Sequence, residues 1–130
     1  MRDAITLDGL FYFFAAEFCS TCLRLVGRPN PPTNVRATEK TSDSFNVSWT
    51  SGYDGGEDQW FIVSYLKTNS EDSEVFSDPI TGGENMYTVT GLEVYTDYVV
   101  RVYAENNIGR NPNYGETRET TRRKNQEVIQ

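Results

Sequence analysis

The stretch Met86-Tyr87-Thr-Val89-Thr-Gly91-Leu92-Glu93-Val94-Tyr95-Thr96-Asp97-Tyr98-Val-Val100-Arg101-Val102-Tyr103-Ala104 decides the architecture. Its two halves alternate apolar and polar residues with period two, as a strand with one buried face must. Tyr87 and Val89 fall on one face of the first half, and Tyr98, Val100, Val102 and Ala104 on one face of the second. Between them Gly91-Leu92 interrupts the alternation and marks a turn. A strand, a turn holding one large aliphatic residue, and a longer strand make a hairpin-like unit that needs a second layer to cover its apolar face.

Working outward, the same pattern recurs on both sides. Toward the N-terminus, Gln59 to Lys67 places Phe61, Val63 and Tyr65 on one face, and Ser44 to Thr50 places Phe45, Val47 and Trp49 on one face. A modest first strand, Thr33 to Thr38, is introduced by Pro29, Pro31 and Pro32, which block pairing at a leading edge. A short edge strand is expected near Glu74 to Ser77, and a polar last strand from Gly115 to Thr121. The glycine-rich acidic cluster 51–58 is a turn. Seven short strands with turn signals between them and no helical period predict an all-β, seven-stranded antiparallel sandwich of the immunoglobulin-like kind.

Composition narrows the chemistry. The chain has 130 residues, a net charge of −7 and a pI near 4.5. An acidic body disfavours nucleic-acid binding, because phosphate contacts need a basic face. There is no histidine, which removes the commonest general base, the usual hydrolytic triads and most catalytic zinc sites. The two cysteines, Cys19 and Cys22, lie outside the sandwich, so packing alone must hold it. A lone Cys-x-x-Cys without a second ligand pair or a βαβ context reads as incidental thiols. Asp54, Glu57 and Asp58 do not follow a calcium-loop spacing. No apolar run reaches the length of a membrane helix. The expectation is a protein that is not an enzyme and has no cofactor, no metal and no small-molecule substrate.

Several motifs fall in the order and spacing of a known family. Phe45-x-Val47-x-Trp49 resembles the strand that carries the core tryptophan of fibronectin type III domains, and Phe61-x-Val63-x-Tyr65 resembles their central strand. Gly91-Leu92-Glu93-Val94-Tyr95-Thr96-Asp97-Tyr98 is similar to the family's Gly-Leu-x-Pro-x-Thr-x-Tyr signature, with Val94 in place of the proline. The run from Val100 to Gly109 resembles the sixth strand and its following loop. The resemblance covers residues 29–122. It implies that Trp49, Phe61, Tyr65, Leu92 and Tyr98 build the core, and that the Tyr98 hydroxyl bonds to backbone just upstream. The loop from Trp49 through Gly52, Asp54, Gly55 and Gly56 to Phe61 is similar to that of nephrin-like and turtle-like immunoglobulin-superfamily adhesion proteins. An immunoglobulin domain proper is excluded, since neither strand two nor strand six carries the inter-sheet cysteine.

Function then follows as expectation. The loop from Glu105 to Tyr114 is the candidate contact surface, with Asn106, Asn107, Arg110, Asn111 and Asn113 supplying hydrogen bonds and Tyr114 apolar area. Arg101 and Tyr103 are expected outward on the sixth strand. Asn46-Val47-Ser48 is an N-glycosylation sequon whose asparagine points away from Phe45 and Trp49. The resemblance implies a non-catalytic spacer and protein-binding module, a fragment of an extracellular or cell-surface adhesion or receptor protein. Its partners would be adjacent domains and extracellular protein ligands, with any membrane link through a parent chain. The rival is an intracellular sarcomeric or cytoskeletal scaffold module. Residues 1–28 are expected to lie outside the domain, as a poor signal-like or fragmentary start or a loose helix over 10–25. Residues 123–130 are expected to be a linker.

Overall fold

A computed structural model describes residues 4–7, 10–13 and 25–124. Among the described residues ten strands follow in chain order: β1 (Ala4–Leu7), β2 (Leu10–Phe13), β3 (Leu25–Gly27), β4 (Thr33–Thr38), β5 (Phe45–Thr50), β6 (Trp60–Lys67), β7 (Val75–Phe76), β8 (Met86–Val89), β9 (Asp97–Glu105) and β10 (Gly115–Thr120). The last seven form two facing sheets, one ordered β4-β5-β8 and the other β10-β9-β6-β7. All their pairings are antiparallel.

The core lies where the alternating faces meet. Phe45, Val47 and Trp49 of β5 and Val89 of β8 close on Phe61 and Val63 of β6 and Tyr98, Val100, Val102 and Ala104 of β9. Trp49 stands 5.4 Å from Phe61, ring centroid to ring centroid, at a tilt of 56°. Leu92 plugs the end nearest the β8–β9 turn and is buried. Tyr98 is buried too, and its hydroxyl accepts a 2.9 Å hydrogen bond from the Glu93 N–H. Tyr65 is only half-buried, packed against the cluster and edge-on to Tyr98 at 6.2 Å.

Register along β4 breaks between Thr33 and Arg36, at Asn34, whose φ of 57° is left-handed. This bulge leans the strand toward β10, so that a Cβ on Gly115 would stand 2.4 Å from Val35 Cγ2 and 2.8 Å from the Pro32 carbonyl oxygen. The two sheets are thereby closed on that side.

The remaining strands, β1, β2 and β3, form a small antiparallel sheet of their own. Here the expected loose helix over 10–25 is corrected: Leu10–Phe13 and Leu25 are strand residues. The aromatic run Leu-Phe-Tyr-Phe suits an extended backbone better than a helix. Cys19, Cys22, the rest of the signal-like run and linker residues 125–130 lie outside the described residues.

Candidate contact surface

Because β9 runs the length of the sandwich, its two ends define two poles. The chain enters at the pole holding loops 51–59 and 106–111, where the Asn30 N–H meets the Tyr53 carbonyl at 2.8 Å. It leaves at the other, where the Arg122 N–H bonds Thr41 O at 2.8 Å and the Tyr95 N–H bonds Arg122 O at 3.1 Å. Thr121 is buried at this exit, its hydroxyl donating to Glu93 O at 2.6 Å. An open cleft of about 650 Å³ beside it is lined by Lys67, Asn69, Tyr95 and Asp97. Lys67 is already held there by Glu93 at 2.8 Å and Asp72 at 3.1 Å.

The outer face of β10-β9-β6-β7 differs from the bare polar face that alternation predicts. Ile62, Ser64, Val99 and Tyr103 point outward yet are buried. Around Tyr103 this face carries a plate of flat side chains. The Arg101 guanidinium lies 4.8 Å from the Tyr114 ring centre, and that of Arg110 lies 4.9 Å from Tyr103 and 5.7 Å from Phe76. Tyr103 in turn packs 5.1 Å from Tyr114 and 6.2 Å from Phe76. Such stacked cations contribute roughly 0.5–1 kcal/mol each at exposed sites, and shield the strands beneath.

Two carboxylates tie the plate down. Glu74 accepts from the Ser64 hydroxyl and from the Tyr103 hydroxyl at 3.3 Å, and pairs with Arg101 at 3.5 Å. Glu105 accepts from Trp60 Nε1 at 2.8 Å and from Arg110 Nε. Burial and the neighbouring Glu74 charge push the Tyr103 phenol above its usual value. Phe76 and Val75, each 48% exposed, leave an apolar edge beside this neutral plate on an otherwise acidic body.

The six loop residues singled out from sequence separate into two groups. Asn107, Arg110, Asn113 and Tyr114 are exposed, and Arg110 and Tyr114 belong to the plate. Asn106 is not a surface residue: it is 3% exposed, with its amide turned inward onto backbone. Asn111 is half-buried and donates to Pro29 O at 2.9 Å. Their expected place in the contact set is corrected, because both amides are spent on holding chain segments. Arg101 and Tyr103, expected as an exposed pair, are instead part of the plate's inner layer. Phe76, Val75 and Glu74 were not singled out, since a two-residue edge strand has too little alternation to show which side faces the sheet.

Asn46 sits on the outer side of β5, half-buried; its Nδ2 donates to Glu39 Oε1 at 3.1 Å and its Oδ1 accepts from Thr88 Oγ1 at 2.8 Å. Asp54 caps its own turn, accepting from the Gly56 N–H at 2.8 Å. Among the described residues no group of acids, cysteines or histidines is placed to hold a metal. No helix among them is long and apolar enough to cross a membrane.

Residues 30–121 match the fibronectin type III domain family. The chain belongs to the fibronectin type III family. Relatives of this type III module include tyrosine-protein phosphatase Lar of Drosophila melanogaster, 40% identical over 86 residues. Protein turtle homolog B and nephrin of Homo sapiens are 35% and 30% identical over 91 and 84 residues. These matches take in 65–69% of this chain but only 4–7% of the relatives. Among solved structures, titin domains A168–A170 superpose with a TM-score of 0.65 at 30% identity, over 76% of this chain and 36% of that one. The chain therefore spans a small fraction of the length of the curated relatives it matches. The type III family is one of non-catalytic modules, some borne by parents that are phosphatases or kinase receptors.

Proposed function

We propose that this module is a non-catalytic spacer and protein-contact unit of an extracellular adhesion or receptor protein. The observation that carries the reading is the Arg–aromatic plate with Phe76, Tyr114 and Arg110 at its surface. Aromatic residues and arginine dominate the energetics of protein interfaces, and flat, pre-stacked side chains lose little rotamer freedom on binding. Asn107 and Asn113, exposed on the same loop as Arg110 and Tyr114, supply adaptable hydrogen bonding. The likeness to nephrin, turtle homolog B and a receptor-type phosphatase supports the cell-surface setting. In that setting Asn46 carries an N-linked glycan, for which the Glu39 contact must be exchanged.

The test is expression behind a borrowed signal peptide, scoring export and the glycosidase-sensitive mass of the peptide containing Asn46. Export with a glycan supports the reading, and export of a wholly unmodified Asn46 removes the glycan from it. A folded chain that fails to export overturns the extracellular assignment. The second reading, an intracellular scaffold module, is favoured by the structural likeness to titin.

A further inference from the structure

We infer that the pole formed by loops 53–55 and 106–111 is a binding slot for an extended polypeptide, filled here by Gly27–Asn30 of the same chain. The slot fixes the direction in which the preceding segment leaves the sandwich. The inference deepens the spacer reading and rests on it, naming what this pole holds.

Four hydrogen bonds join the two parts. The Gly27 N–H donates to Gly55 O at 2.8 Å, and Gly27 O accepts from Asn106 Nδ2 at 2.7 Å. The Asn30 N–H donates to Tyr53 O at 2.8 Å, and Pro29 O accepts from Asn111 Nδ2 at 2.9 Å. The segment is thus read through its backbone, as an added strand is read by a sheet edge.

Asn106 is the keystone. Its Nδ2 also donates to Asp54 O at 2.8 Å, while its Oδ1 accepts from the Ile108 and Gly109 N–H groups at 2.8 and 3.2 Å. Both amide hydrogens and both oxygen lone pairs are therefore used, which is what burial of an asparagine requires. One side chain links the incoming segment, loop 53–55 and the turn of loop 106–111.

Shape adds selectivity. Gly55 has a φ of 81°, and a Cβ there would stand 2.2 Å from Gly27 O and 2.9 Å from the Arg28 carbonyl. Only glycine lets the two backbones approach so closely. Gly27 is itself buried, and Pro29 is fully buried while bringing no N–H that would need a partner. A Cβ on Gly109 would meet Arg28 Nε at 3.0 Å, so the Arg28 side chain lies along that loop. Gly27 is also the last residue of β3, paired with Leu10 of β2. The small sheet is consequently attached to the sandwich at its hydrogen-bonded corner.

The test is amide exchange on the full chain, comparing wild type with Asn106→Asp. That change keeps the volume and the acceptor for Ile108 and Gly109 but removes both donors. Exchange at Gly27 and Asn30 should quicken by about tenfold or more, while Val63 and Val102 in the core ladders keep their protection. Unchanged exchange at Gly27 and Asn30 overturns the inference. If the variant loses core protection altogether, Asn111→Asp decides, since it removes only the donor to Pro29 O. Faster exchange at Asn30 over an intact core then supports the slot, and wild-type exchange there overturns it. The measurement uses purified chain, so a failure of export in secretory cells and a failure of the slot are read separately.

Discussion

Tyr98→Phe removes one oxygen and leaves the rest of the core in place. In the folded protein that oxygen accepts the Glu93 N–H at 2.9 Å, while the ring packs edge-on to Phe45 at 6.4 Å and to Tyr65 at 6.2 Å. The packing survives the change, so the loss is the hydrogen bond alone. A buried donor left unmade costs about 1–3 kcal/mol. Glu93 is exposed, so water reaches its amide and the expected loss is about 1–2 kcal/mol. Tyr98→Ala also empties the site and should cost about 3–5 kcal/mol, a large part of a typical domain's stability. Urea unfolding followed by tryptophan fluorescence separates the two. With a slope of about 1 kcal/mol per molar, the Phe variant's midpoint should fall by about 1–2 M at constant slope. A midpoint shift below about 0.2 M would refute the hydroxyl as a structural pin. A shift as large as that of the alanine variant would refute the separation of ring from hydroxyl.

Three further outcomes follow from the same geometry. Trp49→Ala should cost about 3–5 kcal/mol, measured by the same denaturation read through far-ultraviolet circular dichroism, and a loss below about 1 kcal/mol would mean the indole is not central. Gly115→Ala forces a methyl against Val35 and the Pro32 carbonyl, and should cost about 1–3 kcal/mol by parting β4 from β10; thermal midpoints would show it, and an unchanged midpoint would refute that contact. Tyr65 and Tyr103 have phenols raised by burial, helped by Tyr87 beside the first and Glu74 beside the second. Since the folded state holds these protons more tightly than the unfolded chain, the stability they contribute is whole below about pH 10 and is lost as pH rises through their folded values. Absorbance titration near 295 nm should show a late-ionising fraction, and a single transition at the free-tyrosine value would count against it.

The inner faces were legible because a strand with one buried side writes a period of two into the chain, and β5, β6 and β9 all carry it. The boundaries of β4 agree with those expected from that pattern, and those of β5, β6 and β10 differ by a residue. The outer face was not legible. Tyr103 is packed against Arg110, Phe76 and Tyr114, which come from other segments, and no local pattern announces a partner so distant in sequence. Asn106 and Asn111 failed for a related reason. An asparagine in a loop looks the same in sequence whether its amide meets solvent or the backbone of residues 27–29, and only the folded chain brings Gly27 to it.

The bulge at Asn34 has a mechanical consequence. Once the Gly27–Asn30 bonds at the entry pole give way, tension applied through the two ends of the sandwich is carried along β4 and β10, its first and last strands, which belong to different sheets. A ladder pulled along its length resists by sharing shear among neighbouring bonds, and the register break leaves Thr33 isolated from the run Arg36–Thr38. The upper part of β4 would then part from β5 at low load, paying out a few residues of slack while β10 stays in register with β9 over its whole length. A module built this way yields by a short step at one end before the body of the sandwich feels the force.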